Sequence, residues 1–319
     1  MSLKVFISGA TGFVGRHLIR RLNSPEHTIY GSSFPEKPEV FKGLGGGEIF
    51  HLDIRAEEGI FEVMRKVQPD WVFHLAAVSN VKHSWEERRE TLETNILGTL
   101  NLFEAIRKHA QKARVLFVSS SDVYGIISPG GRVLKEEDDT RAVNPYALTK
   151  IGGEILSKFY WEIEKLDVLI ARSFPHTGPG QGPDFACSDW AFQIARIEKG
   201  LAEPVIKVGN IDIQRDYSDV RDVVRAYVSL MERGKKGQIY NICSGKAVAL
   251  RKILEFLCSL SSESVKVKVD SRKLRKTDIP FLIGSNQKVR RETSWEPKIP
   301  LEQTLKDLLE YWRKREGST

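Results

Sequence analysis

The chain has 319 residues, enough for one large domain and a smaller appendage, and its 49 Lys+Arg against 42 Asp+Glu leave a net charge of +7. That excess suits a phosphate-bearing ligand, but the basic residues are dispersed and no basic tract is interleaved with aromatics, so a nucleic-acid partner is disfavoured. Cys187, Cys243 and Cys258 lie far apart with no CxxC pair, which argues against a disulfide framework or a zinc site, and no leader or long apolar run marks an export signal or a membrane span; the expectation is a soluble, cytoplasmic protein with reduced, buried thiols.

Residues 4–8 are a short β-branched and apolar run that stops at Gly9, and residues 13–22 carry helical periodicity. Between them Gly9, Gly12 and Gly15 set a GxxGxxG spacing. Gly9 makes the tight turn, Gly12 lets backbone approach a pyrophosphate, and Gly15 allows close helix-to-strand packing. The helix start, with Thr11, Phe13 and Val14, supplies N–H donors and a partial positive charge. This is the opening of a dinucleotide-binding α/β unit. Residues 27–33 read as the second strand, ending in Ser32 and Ser33 where a carboxylate would hold the adenosine ribose of NAD. Without that carboxylate NADP is permitted, so NADP(H) is favoured and NAD(H) stays open. No arginine follows immediately to clamp a ribose phosphate, which leaves Arg16 or Lys37 for the task. Residues 49–54 look like a third strand; Asp53, beside Ile54, either hydrogen-bonds the adenine amino group or caps the next helix.

The fourth strand, residues 71–77, runs into Leu75, Ala76 and Ala77, small enough at its end for a cofactor to pass closely. His74 has no second ligand at metal spacing and reads as a packed core residue, so no metal site is expected. Residues 91–106 carry a long helix with a wide apolar face. The strand at 114–118 then delivers Ser119, Ser120, Ser121 and Asp122 to the carboxyl edge of the sheet, where open α/β sheets bind ligands. A polar loop over 126–142 precedes a helix expected to continue to residue 166, headed by Tyr146 and Lys150. Four residues apart, their side chains stack on one helix face, and an ammonium beside a phenol favours the phenolate: an acid/base device. Asp122 reads equally well as a loop or helix-cap carboxylate. After a buried strand at 168–172, Pro175, Pro179 and Pro183 punctuate a loop, and shorter elements follow. The predicted fold is α/β, a Rossmann-type doubly wound parallel sheet with a smaller C-terminal α/β substrate-binding subdomain. Residues 1–172 form the dinucleotide-binding domain and 173–319 mainly the subdomain, with some segments returning to the core.

On the glycine loop and on Ser120, Tyr146 and Lys150, the chain resembles the extended short-chain dehydrogenase/reductase family, in its nucleotide-sugar branch, over essentially its whole length. Segments 172–181, 205–210, 215–223, 240–245 and 283–286 look most like GDP-4-keto-6-deoxy-D-mannose reductases and next most like GDP-mannose 4,6-dehydratases. The resemblance implies reduction of a sugar C4 carbonyl by NAD(P)H. Tyr146 donates the proton, Lys150 holds the tyrosine pKa down and binds the nicotinamide ribose, and Ser120 orients the carbonyl oxygen. Because strand neighbours point oppositely, Ser121 in place of Ser120 stays open.

On the substrate side the resemblance implies contacts to a GDP-sugar from Ser121, Asp122, His176 and Lys207, with Arg215 and Arg275 approaching the diphosphate. Two departures stand out. Pro175 replaces a usual asparagine, so that contact is missing or supplied by His176, and Lys276 replaces a usual proline beside Arg275. Dehydratases place a glutamate directly after their Thr-Ser or Thr-Asp pair; Asp122 is one methylene shorter there, which disfavours dehydration while leaving a water-mediated route. A dinucleotide-sensing scaffold would be expected to lack Tyr146 or Lys150. A homodimer is also implied, paired through the helices at 91–108 and 146–166.

Overall fold

Apolar runs that alternate faces build the first half of the chain into parallel strands joined by helices. The structure, a computed structural model, describes residues 2–35, 47–126, 132–274 and 279–316. In chain order come β1 (Leu3–Ser8), α1 (Phe13–Leu22), β2 (His27–Ser33), β3 (Ile49–His51), α2 (Glu57–Val67), β4 (Trp71–His74), α3 (Val81–Glu86), α4 (Arg88–Leu92), α5 (Gly98–His109), β5 (Arg114–Ser120), α6 (Pro145–Glu162) and β6 (Asp167–Ser173). The second half supplies β7 (His176–Thr177), α7 (Ala186–Glu198), β8 (Val205–Val208), β9 (Gln214–Asp216), β10 (Ser218–Asp219), α8 (Val220–Arg233), β11 (Ile239–Ile242), β12 (Ala247–Ala249), α9 (Leu250–Ser259), β13 (Lys266–Val269), β14 (Phe281–Leu282), α10 (Gln287–Thr293) and α11 (Leu301–Arg315).

The main sheet has seven strands in the order β11-β6-β5-β4-β1-β2-β3. Both faces are covered, as a parallel sheet requires. On β1, Val5 and Ile7 pack with α1 and α8 on one side, and Phe6 packs with α2, α5 and α6 on the other. Each such large side chain, fully withdrawn from water, contributes about 1.5–3 kcal/mol. A separate core joins α7, α9 and α11 around Trp190, Leu257 and Trp312. The chain therefore leaves the main sheet after β6 and returns to it through α8 and β11, which pairs with β6.

Several boundaries differ from expectation. Asp53 and Ile54 lie beyond β3, and Leu75 to Ala77 lie beyond β4, so both groups sit on the loops at the sheet edge. The helix expected over 91–106 is α4, a π-helical turn over Glu93–Leu97 and α5. That turn turns Asn95 inward, where its Oδ1 accepts from the backbone N–H of Val78 at 2.8 Å and its Nδ2 donates to Thr149 Oγ1 at 2.9 Å. Helix α6 ends at Glu162, short of 166, and Lys165 follows in the left-handed region at φ 61°. His74 is the packed core residue expected: its ring pairs with Ser8 Oγ at 2.8 Å and Thr99 Oγ1 at 2.9 Å. Cys187 and Cys243 are buried free thiols, and Cys258 is half-buried. Among the described residues no helix is long and apolar enough to cross a membrane.

Candidate active site

A cleft of about 1150 Å³ follows the carboxyl edge of the main sheet and continues to the second core. Its first wall is the β1–α1 turn. Gly9 sits at φ +69°, and a Cβ there would lie 2.9 Å from backbone atoms of Ala76; a Cβ on Gly15 would lie 2.5 Å from the carbonyl oxygens of Gly9 and Ala10. Gly12 begins α1 with no side-chain cap, which leaves the first-turn N–H groups for an anion. Thr11, Phe13, Val14, Ser32, Asp53, Ile54, Leu75, Ala76 and Ala77 line the same cleft. Ser32 Oγ accepts from the backbone N–H of Gly9 at 3.2 Å and so ties the end of β2 to the turn. A dinucleotide fits this donor-rich, sterically narrow cradle.

The cations expected at the ribose end need correction. Arg16 is committed elsewhere, its Nη2 donating to the carbonyl of Gly180 at 2.8 Å, and Lys37 lies outside the described residues. Arg55 lines the cleft in their stead. Asp53 does not cap α2, whose N-cap is Ala56; its carboxylate accepts from Arg55 Nε at 2.9 Å and Nη2 at 2.6 Å. That pairing holds the Asp53 pKa down against the effect of its partial burial.

Ser120, Tyr146 and Lys150 converge where β5 meets α6. Ser120 ends β5, its Oγ accepting from the Asp122 N–H at 3.1 Å and so capping a 3₁₀ turn over Ser121–Tyr124. Asn144 caps α6 through Oδ1, which accepts from the Ala147 N–H at 2.7 Å, with Pro145 in the first turn where its missing N–H costs nothing. This fixes Tyr146 at the end of β5, where it lines the cleft beside Ser120. Lys150 is 6% exposed, and its Nζ donates to the Val118 carbonyl at 2.8 Å.

The electrostatics depart from expectation. Burial raises the Tyr146 pKa, and the Asp122 carboxylate raises it further, against the Ser120 hydrogen bond. Burial also lowers the Lys150 pKa to about 8, opposed by Glu154. The lowering of the tyrosine pKa that the Tyr146–Lys150 spacing suggested is therefore not seen, and Tyr146 keeps the proton that its expected role as donor requires. Beneath the trio lies a closed ion pair: Arg172 donates to Glu154 at 2.9 Å through Nε and 2.8 Å through Nη2, while Ser119 Oγ donates to Glu154 at 2.6 Å.

Ser121, Asp122, His176 and Arg215 also line the cleft. His176 stacks on Phe13 with centroids 6.2 Å apart, and its Nδ1–H donates to the Phe174 carbonyl at 2.9 Å; burial lowers its pKa and keeps it neutral. Asp122 Oδ2 lies 3.4 Å from Asn144 Nδ2. Lys207 does not reach the cleft: β8 buries Ile206 and Val208 in the second core, and the alternation turns Lys207 to solvent. Arg275 and Lys276 lie outside the described residues. Sequence reasoning missed Arg55 and Asn144; the Asn-Pro pair before a helix was the available signal for Asn144 as a cap.

Comparison with known proteins bears on this geometry. The family model described as GDP-mannose 4,6 dehydratase matches residues 6–308. A GDP-6-deoxy-D-mannose reductase of Pseudomonas aeruginosa is 32% identical over 316 residues, covering 99% of each chain. A GDP-6-deoxy-D-talose 4-dehydrogenase of Aggregatibacter actinomycetemcomitans is 26% identical over 289 residues, covering 90% of each. Among solved structures, RMD from Pseudomonas aeruginosa complexed with NADPH superposes with a TM-score of 0.86 at 32% identity, covering 98% of this chain and 100% of that one. A UDP-glucose 4-epimerase from Thermotoga maritima with UDP-glucose gives 0.88 at 26% identity, with the same coverage. Reductase and epimerase share this scaffold equally well, so the chemistry has to be argued from the site.

Proposed function

The chain belongs to the GDP-mannose 4,6-dehydratase family, whose relatives are NAD(P)-dependent nucleotide-sugar enzymes, and from that premise we propose that it reduces the C4 keto group of a GDP-4-keto-6-deoxy-hexose, converting GDP-4-keto-6-deoxy-D-mannose to GDP-D-rhamnose. The observation that carries this reading is the convergence of Ser120, Tyr146 and Lys150 on one cleft at the carboxyl edge of the sheet, with Lys150 anchored on the Val118 carbonyl. Carbonyl reduction needs a proton donor at the oxygen, and a neutral phenol is one.

In this reading the bound reduced nicotinamide supplies a hydride to the sugar C4. Tyr146 donates its phenolic proton to the developing alkoxide, and Ser120 Oγ hydrogen-bonds the same oxygen and orients it. Lys150 keeps one N–H on the Val118 carbonyl and directs the others to the nicotinamide ribose. Its positive charge also favours the tyrosinate left by proton transfer. Arg215, buried at the cleft wall, pairs with the diphosphate, and His176 stands in for the asparagine contact that Pro175 removes.

A second reading, 4,6-dehydration of GDP-mannose, is favoured by Asp122, a carboxylate lining the cleft beside the trio. Incubating the protein with GDP-4-keto-6-deoxymannose and NADPH, and separately with GDP-mannose, and identifying the products by NMR, tests the choice. A single C4 alcohol supports reduction; a 4-keto product formed from GDP-mannose supports dehydration.

The same reading includes a homodimer. Leu92 and Leu97 next to α5, and Leu148, Ile155, Phe159 and Ile163 along and just past α6, are exposed apolar side chains on the two helical segments that would pair. Light scattering giving the mass of one chain at micromolar concentration rules that arrangement out.

A further inference from the structure

We propose that Arg55 reads the 2′-phosphate of NADP(H) in this chain, through the guanidinium edge that Asp53 leaves open at the end of β2. The proposal rests on the cleft binding a dinucleotide, as its family membership states, and it does not depend on which sugar is reduced.

The adenosine ribose of a dinucleotide lies at the carboxyl end of the second strand, and the residue there decides between a hydroxyl and a phosphate. Here β2 ends in Ser32 and Ser33, which carry no charge to repel a phosphate and none to hold one. Parallel pairing sets Ser33 opposite His51, and the Leu52 N–H donates to the Ser33 carbonyl at 3.1 Å. The chain leaving β3 is thereby laid against the end of β2. Three residues later Arg55 swings back over Phe34, its Cζ 5.7 Å from the ring centroid. On the same ring His51 stacks with centroids 5.8 Å apart. A residue 22 positions downstream of Ser33 thus stands where the ribose substituent must go.

Asp53 holds the guanidinium by the Nε and Nη2 edge only. Among the described residues Nη1 has no hydrogen-bond partner, and the side chain is 34% exposed. A fork clamped on one edge and open on the other is preorganised, so less freedom is lost when a phosphate oxygen is bound. The charges around Arg55 point the same way. Asp53, Glu90 and Glu93 all act on Arg55, and Asp53 and Glu90 line the cleft with it. Asp53 and Glu90 would repel a 2′-phosphate that Arg55 did not hold, whereas an uncharged 2′-hydroxyl would be indifferent to the change.

The test is fluorescence titration of the full-length protein with NADPH and with NADH, in the absence of sugar, for the wild type, Arg55→Gln and Arg55→Lys. The proposal expects Arg55→Gln to weaken NADPH binding by about 10- to 100-fold, as loss of a charge-assisted hydrogen bond does, with NADH nearly unchanged and Arg55→Lys in between. Equal weakening of both cofactors, or unchanged NADPH binding, overturns it. A second measurement needs no variant: 2′-AMP must displace NADPH from the wild type at lower concentration than its isomer 3′-AMP, and equal displacement overturns the proposal. Absence of ketone reduction would sink the reductase reading and leave these titrations intact; binding of neither dinucleotide sinks both.

Discussion

Lys150 Nζ donates to the carbonyl of Val118 at 2.8 Å and stands 5.7 Å from the centroid of the Tyr146 ring. The ammonium is held by backbone within the apolar surroundings of Phe117, so its charge costs stability until it is lost. Burial takes its pKa from 10.5 to about 8. Between those values the unfolded chain binds more protons than the folded one, so stability rises with pH across that window. Urea unfolding of the cofactor-free protein should show the wild type gaining roughly 3 kcal/mol on Lys150→Met as the window is crossed. A difference that is flat with pH contradicts the assignment.

The Glu154–Arg172 pair beneath the site is almost fully withdrawn from solvent and satisfied on both sides. Glu154→Gln leaves a buried guanidinium without its counter-charge and should cost about 3–5 kcal/mol in urea unfolding. Replacing both partners by apolar residues, Glu154→Leu with Arg172→Met, should recover much of that loss. If the double variant is less stable than Glu154→Gln, the cost lies in packing and not in the unpaired charge.

Asp122 contributes to the raised Tyr146 pKa by charge repulsion of the phenolate. Removing that charge in Asp122→Asn lowers the tyrosine pKa, so the alkaline limb of kcat/KM for reduction should move to lower pH while substantial activity remains. Complete loss of reduction would show that the carboxylate itself takes part in the chemistry.

Gly15 admits no side chain, since a Cβ would stand 2.5 Å from two carbonyl oxygens. Gly15→Ala must push α1 away from the β1 turn, at about 1–3 kcal/mol of stability, and should weaken NADPH binding with it. Calorimetric titration beside a melting curve checks both effects, and unchanged affinity would mean that the turn does not cradle the dinucleotide.

The strands and the glycine turn were legible because each rests on a local pattern: the apolar run before Gly9, the β-branched core of β5, the spacing of Tyr146 and Lys150. What escaped depends on pairing and depth. Arg55 reaches the end of β2 only because β3 lies parallel beside it, a register the separation of 22 residues does not reveal. Lys207 sits in a segment that resembles a substrate strand, yet strand alternation around Ile206 and Val208 decides where it points. The upward shift of the Tyr146 pKa follows from burial and from Asp122, neither of which a four-residue spacing contains. The π turn at Asn95 likewise exists to satisfy Val78 and Thr149, partners from two other parts of the chain.

Loss of NADPH absorbance on mixing the pure protein with GDP-4-keto-6-deoxymannose, with Tyr146→Phe run in parallel, tests the reductase reading and the role of Tyr146 together. The wild type should oxidise NADPH and the variant should do so about 10²- to 10⁴-fold more slowly, the worth of a positioned proton donor, with NADPH binding retained. Undiminished oxidation by Tyr146→Phe would remove Tyr146 from the chemistry; no oxidation by the wild type, with GDP-mannose instead converted to a 4-keto sugar, would contradict the reductase and establish the dehydratase.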